Sequence, residues 1–338
     1  MGADPGPGRL PDTTGTAPPA ARPATDGTDR AATVLRFLAP PNEVDLDGRT
    51  IKAGHVLEWI DRAGFACAAA WSGSYCVTAY VGNVRFRKPI RSGSLVQTTA
   101  RVIATGRSSM QVLVTVDSAE PTGGDAHRVA HCLLVLVAVD GAGRPRPVPQ
   151  WRATNVVELD LHDLAEQRVT ARARIRAAME AQSYTDAGTA PRLLLRFLAT
   201  PRDVNWGGRV HGGTVLRWID ETAQACAVSW TRRPAVGVYA GGIHFHAPVE
   251  IGALVEVESR ILHTGPHSVH LATHVRSADP LVGEYRTTTR CMSVFVPLDE
   301  LGRAADVAPL PLVSEEDRRL DRHARDLIAM RAELDTIE

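Results

Sequence analysis

The sequence repeats itself. Arg36-Phe37-Leu38-Ala39 returns as Arg196-Phe197-Leu198-Ala199, 160 residues later. One extra residue near Thr50 drops the offset to 159, which then holds for most of the copy. Trp59-Ile60-Asp61 answers to Trp218-Ile219-Asp220, Cys67-Ala68 to Cys226-Ala227, and Trp71 to Trp230. Phe86, Pro89, Gly93, Gly106 and Ser109 answer to Phe245, Pro248, Gly252, Gly265 and Ser268. Cys132 pairs with Cys291, and Gly143-Arg144 with Gly302-Arg303. Chance does not keep one register for so long, so the chain is a duplication and both copies share one fold.

The length of 338 residues agrees with two domains. In each copy a loop rich in Pro, Gly and acidic residues leads into an Ala-rich apolar stretch, Gly54 to Trp71 or Gly213 to Trp230. Its length and composition predict a buried helix. Runs of period-two alternation follow, including Leu95 to Ala104, Met110 to Asp117 and Cys132 to Val139. Bounded by Gly-containing turns, they read as antiparallel strands. Leu159 to Gln182 and Ser314 to Leu334 are charged segments expected to form amphipathic helices on the outside. Ser314-Glu315-Glu316-Asp317 resembles a capping box opening the second. The expected plan is a disordered tail over 1–30, one domain over 31–150, a linker with a helix over 151–190, a second domain over 191–312, and a C-terminal helix over 313–338.

Composition narrows the class of partner. Lys plus Arg and Asp plus Glu both total 38, giving no overall pull toward nucleic acid or an anionic membrane. No stretch approaches the roughly 20 apolar residues that span a bilayer. The Pro-, Gly-, Thr- and Ala-rich first thirty residues lack the apolar core of a signal peptide, and Gly6 stands where a myristoylation signal would want Ser or Thr. The five cysteines, Cys67, Cys76, Cys132, Cys226 and Cys291, lie in apolar runs without a Cys-x-x-Cys pair. They read as small buried hydrophobes of a reducing, cytoplasmic compartment.

The most informative stretch is Pro201-Arg202-Asp203-Val204-Asn205, followed by Gly208-Arg209-Val210-His211-Gly212-Gly213-Thr214, then Asp220, Phe245-x-x-Pro248 and Gly265-x-x-Ser268. These residues resemble the acyl-CoA hydrolase branch of the hotdog superfamily, and the duplicated chain resembles its fused cytosolic long-chain members. The likeness covers about residues 34 to 335. It implies an α+β tandem hotdog, each copy an antiparallel sheet around a long central helix, the two joined as an intramolecular pseudo-dimer. It implies hydrolysis of acyl-CoA thioesters, with no cofactor beyond the coenzyme A carried by the substrate, and association into homo-oligomers such as trimers of double hotdogs.

The resemblance further implies a site between the copies, with an Asn from one facing an Asp and a Thr from the other. Here the copies differ. Copy two keeps Asn205 where copy one has Asp45, and copy one keeps Thr78 where copy two has Gly237. Asn205, Asp61 and Thr78 therefore make a complete set, whereas Asp45, Asp220 and Gly237 make a degenerate one. Asp61 is expected as general base or nucleophile, Asn205 to position water or the thioester carbonyl, and Thr78 to hold the carboxylate or water. Gly212, Gly213 and Thr214 open the copy-two helix, where unpaired N–H groups would serve as oxyanion donors. Read alone, the glycine pair is as well a tight turn, and the Asp a cap on a neighbouring loop.

A weaker asymmetry concerns charge. Arg85, Arg87, Lys88 and Arg107, with Ser109 beside them, are expected to hold coenzyme A phosphates at the working site. The alternative is a solvated strand edge. Other functions stay open: a dehydratase using His55 or His211, a non-hydrolytic acyl-CoA binder, and a thioesterase acting on a carrier-bound acyl group. A metal site at His244-Phe245-His246 is disfavoured, because Arg85-Phe86-Arg87 replaces it in copy one.

Overall fold

A computed structural model describes residues 31–332. The expected tail over 1–30 lies outside them, as do residues 333–338 of the expected last helix.

Copy one runs β1 (Ala32–Leu38), α1 (Ala53–Ser72), β2 (Cys76–Val81), β3 (Val84–Arg85), β4 (Leu95–Thr105), β5 (Ser109–Ala119) and β6 (His127–Ala138). After α2 (Val156–Glu180), copy two repeats the order with β7 (Arg192–Leu198), α3 (Gly212–Thr231), β8 (Ala235–Phe245), β9 (Leu254–Gly265), β10 (Ser268–Ala278) and β11 (Arg286–Pro297), and α4 (Glu315–Ala332) follows. The strands form one antiparallel sheet in the order β1-β4-β5-β6-β2-β8-β11-β10-β9-β7. Its two halves are the two copies. They meet where Tyr80 and Val81 of β2 lie opposite His244 and Ile243 of β8. The short β3 crosses the boundary, setting Val84 and Arg85 opposite Ala240 and Tyr239. This is a tandem hotdog.

Alternation makes the core. Along β5, Met110, Val112, Val114 and Val116 are wholly buried while the residues between them are partly exposed. The buried face covers α1, and copy two wraps α3 in the same way. The small residues of α1 permit close packing, since a Cβ on Gly64 would fall 2.3 Å from Leu134 Cδ1. The twins even repeat an edge-on aromatic pair, Phe37–Trp59 at 4.8 Å and Phe197–Trp218 at 4.9 Å. Inside the sheet α1 and α3 pack against each other, which brings the start of each beside the middle of the other.

The charged helices cover the outer face. Ala165 of α2 packs with Ile103, Ala104 and Leu133, and Ile175 and Met179 meet Leu320, Ala324 and Leu327 of α4. Ser314 caps α4: its hydroxyl accepts from the Asp317 N–H, and the Asp317 carboxylate accepts from the Ser314 N–H, both at 3.0 Å.

Candidate active site

Asp61 sits midway along α1 with only 1% of its surface exposed, so an ionised carboxylate there needs partners. Its Oδ1 accepts from the Thr78 hydroxyl at 2.6 Å, across from β2. Its Oδ2 accepts from the Gly213 N–H at 2.7 Å, at the positive start of α3. The His211 Nδ1 lies 3.1 Å from the same oxygen and 3.0 Å from the Gly213 nitrogen. Nδ1 cannot accept from Gly213 and donate to Asp61 at once, and the Gly213 N–H lies closer to the carboxylate. Burial works against charge on His211, but the Asp61 carboxylate outweighs it and raises the imidazole above its ordinary pKa.

This geometry corrects the reading of the helix start. The Gly213 N–H is spent on Asp61, and the Thr214 N–H is spent on the His211 carbonyl at 3.1 Å. Only the Gly212 N–H, at the cavity wall, has no acceptor among the described residues. The glycines serve helix packing first. A Cβ on Gly213 would lie 2.9 Å from Glu58 Cγ and 3.0 Å from its Cα, and one on Gly212 would lie 3.0 Å from Asp61 Oδ2.

Asn205 comes from the loop before α3. Its side-chain oxygen accepts from the Gly207 N–H at 2.8 Å and the Arg209 N–H at 3.1 Å, which fixes the orientation of the amide. One Nδ2 hydrogen goes to the Val210 carbonyl at 3.3 Å, leaving the other to donate. Asn205, Asp61, Thr78, His211 and Gly212 line a single cavity of about 260 Å³. Phe65, Tyr75 and Trp206 form an aromatic rim. Trp206 stacks on Phe65 at 5.2 Å while 81% exposed. The motif reading passed over this rim, although the copies carry its signal: Leu46 and Gln224 stand at the positions matching Trp206 and Phe65.

The degenerate set is built differently. Asp220 accepts from the Gly54 N–H at 2.8 Å, but no hydroxyl among the described residues donates to it. A Cβ at Gly237 would lie 3.0 Å from Ala53 Cβ and 3.3 Å from Asp220 Oδ1, so a threonine there would crowd both. Asp45 takes two hydrogen bonds from the Gln224 amide, at 2.7 and 2.8 Å. Burial first, with Asp45 nearby, pushes the Asp220 carboxyl up to about 7. Asp45 and Gly237 border a second cavity of about 900 Å³.

The basic residues fall beside that second cavity, which corrects their assignment to the first. Arg87 and Lys88 line it, Arg85 lies next to it, and none of the three lines the first. The strand crossing is the reason. Because β3 pairs with β8, the loop after β3 lies over Val236 to Val238, while the loop after β8 closes the first cavity with His246 to Val249. Arg107 lies in the β4–β5 turn, Ser109 opens β5, and neither lines either cavity. The His244 and His246 rings are 6.4 Å apart, and no third His, Cys, Asp or Glu joins them to form a metal-binding group among the described residues.

Comparison with known proteins adds the chemistry of relatives. A model of the thioesterase superfamily matches residues 50–124 and again 207–284. The acyl-CoA thioester hydrolase YciA of Salmonella typhimurium is 30% identical over 128 residues, spanning 37% of this chain and 95% of the relative. The human cytosolic acyl coenzyme A thioester hydrolase is 24% identical over 331 residues, covering 92% of this chain and 86% of its own length. The crystal structure described as an oleoyl thioesterase from Lactobacillus plantarum superposes with a TM-score of 0.57 at 12% identity, over 82% of this chain and all (100%) of its own. That last likeness concerns the fold alone.

Proposed function

The chain belongs to the acyl-CoA thioester hydrolases of the thioesterase superfamily, and from that premise we propose that it cleaves acyl-CoA at the Asp61 cavity, releasing a carboxylic acid and coenzyme A. The observation that carries the choice of cavity is the pairing of Asp61 with Thr78 and Gly213 beside Asn205, set against Asp220 without a hydroxyl partner.

Asp61 Oδ1 keeps a lone pair beyond the Thr78 bond, enough to take a proton from water. The water oxygen attacks the thioester carbonyl carbon, and negative charge gathers on the carbonyl oxygen. The remaining Asn205 Nδ2 hydrogen and the Gly212 N–H are the donors free to meet that charge, each typically worth ~3 kcal/mol of barrier. Collapse breaks the C–S bond. The thiolate leaves without a strong acid and recovers the proton from Asp61 or His211. His211 beside Asp61 is also the pair a hotdog dehydratase would use, but the human and Salmonella relatives described above are hydrolases.

No cofactor enters this scheme; coenzyme A arrives as part of the substrate. A cytoplasmic setting suits the five buried, unpaired cysteines and the cytosolic human relative, and no helix of the described residues is long and apolar enough to cross a membrane. Assembly into homo-oligomers, such as trimers of double hotdogs, is supported by apolar side chains exposed on the two outermost strands, Val34 and Leu38 on β1 and Leu194, Leu195 and Leu198 on β7.

The test is thiol release from short, medium and long acyl-CoAs by the native chain, Asp61→Ala and Asp220→Ala. Asp61→Ala is expected to lose on the order of 10²-fold or more in kcat, as loss of a general base does, while Asp220→Ala keeps most activity. The opposite pattern sinks the choice of cavity, and no release from any acyl-CoA sinks the function.

A further inference from the structure

The second cavity has lost the groups used for hydrolysis, yet it is the larger and far more basic of the two. Its volume is about 900 Å³ against about 260 Å³. Arg49, Arg87, Lys88 and Arg91 stand around it. None of these four forms a salt bridge within 4.0 Å among the described residues, although the Arg49 charge acts on nearby Asp47. At the matching positions of the first cavity the charges are cancelled or missing. Arg209 is paired with Glu250 at 3.1 Å, and His246 and Ala247 replace Arg87 and Lys88. Glu250 is matched by Arg91, so a cation replaces the carboxylate that would neutralise Arg49.

The acids of the wall cancel only part of this charge, two carboxylates, Asp45 and Asp47, against four cations. Asp45 is turned to Gln224, and Asp47 accepts from the Arg49 and Thr50 N–H groups at 2.8 and 2.9 Å within its own turn. Four cations against two carboxylates leave the wall of this cavity net positive, a surplus that a bound anion relieves. Guanidinium groups match the geometry of phosphate oxygens. In the interior, Asp45 has no N–H to offer a carbonyl, and Gly237 offers no hydroxyl.

We propose that this second cavity binds the phosphorylated adenosine end of coenzyme A, on free coenzyme A or on acyl-CoA, without hydrolysing the thioester. One chain then holds two coenzyme A groups and cleaves at one. The proposal rests on the reading that hydrolysis occurs at Asp61, and its test keeps the two apart.

Isothermal titration of the full chain with coenzyme A compares the native protein, Arg91→Glu and Asp61→Asn. Arg91→Glu copies into the first repeat the Arg209–Glu250 pair that the second already carries, so the fold has a precedent for it. The native protein and Asp61→Asn are expected to take two coenzyme A per chain. Arg91→Glu is expected to take one, with the second event weakened about tenfold or more, equivalent to the loss of one ion pair. A native stoichiometry of one, or an isotherm unchanged by Arg91→Glu, overturns the proposal. ADP binding at this cavity more tightly than coenzyme A overturns coenzyme A as its occupant. Thiol release measured on the same preparations separates the claims: binding of two without release refutes hydrolysis at Asp61, and release with binding of one refutes the second site.

Discussion

Two aspartates at matching places in twin helices differ in what surrounds them, and at the scale of single residues that difference decides what each can do. Asp61 is held by a hydroxyl, a backbone N–H and an imidazole. Asp220 has one N–H, and burial lifts its carboxyl to about 7. A folded-state pKa above the unfolded value of about 3.8 means the native chain binds this proton more tightly than the unfolded one. Asp220 therefore costs nothing below about pH 4, destabilises progressively as pH rises toward 7, and keeps its full cost above that. Asp220→Asn should thus gain thermal stability relative to the native protein between pH 5 and pH 8, by several degrees. Melting curves at the two pH values check this, and a difference that does not change with pH would show that Asp220 is ionised throughout. The inequality of the two aspartates was legible in the chain, because Asn205 against Asp45 and Thr78 against Gly237 can be compared position by position. The consumption of the Gly213 N–H was not. It depends on how closely α3 approaches α1, a contact 152 residues apart that no local pattern encodes.

Among the elements, those with a strong period were legible and those set by pairing were not. The Ala-rich helices and the alternating runs of β4 to β6 stand out because each buries one face. The edge strands β1 and β7 and the boundary strand β3 do not, since short or half-covered strands carry little alternation. Missing β3 is what put the basic residues at the wrong cavity, because only its pairing with β8 tells where the following loop goes. The start of α4 was readable from its cap, and the structure gives the cap a wider duty. The Asp317 carboxylate also accepts from the Thr189 hydroxyl at 2.6 Å and the Ala190 N–H at 3.1 Å, tying the helix to the entrance of copy two. Burial opposes its charge, but these bonds and those from Ser314 hold its pKa down to about 2. Its stabilisation is present above the unfolded value near 3.8 and is lost as pH falls toward 2. Asp317→Ala should cost about 2–3 kcal/mol at pH 7, combining a lost cap with unpaired donors. Urea unfolding should show that difference shrinking below pH 4, and an equal cost at pH 7 and pH 2.5 would mean the charge plays no part.

On the scale of the whole molecule, duplication within one chain does what two identical subunits cannot. A symmetric dimer of copy one would offer Asp61 and Thr78 twice, but against Asp45 rather than an asparagine. A symmetric dimer of copy two would offer Asn205 twice, but against Asp220 with Gly237 in place of a hydroxyl. Only the mixed pair assembles Asn205 with Asp61 and Thr78 around one cavity. The junction that holds it is continuous sheet, β2 to β8, together with the packing of α1 on α3, so it is built like a core and not like a loose domain contact. The linker need not be covalent for this to work. Residues 31–150 and 151–338 produced as separate chains should each release no thiol from acyl-CoA above about 1% of the native rate, the scale set by removing a base or an oxyanion donor. Mixed or co-expressed, they should pair through β2 and β8 and recover a large part of that rate. Activity in the first fragment alone would mean that Asp45 can replace Asn205. Activity in the second alone would mean that Asp220 needs no hydroxyl, and either result would undo the proposal of a single hydrolytic site shared by the two copies.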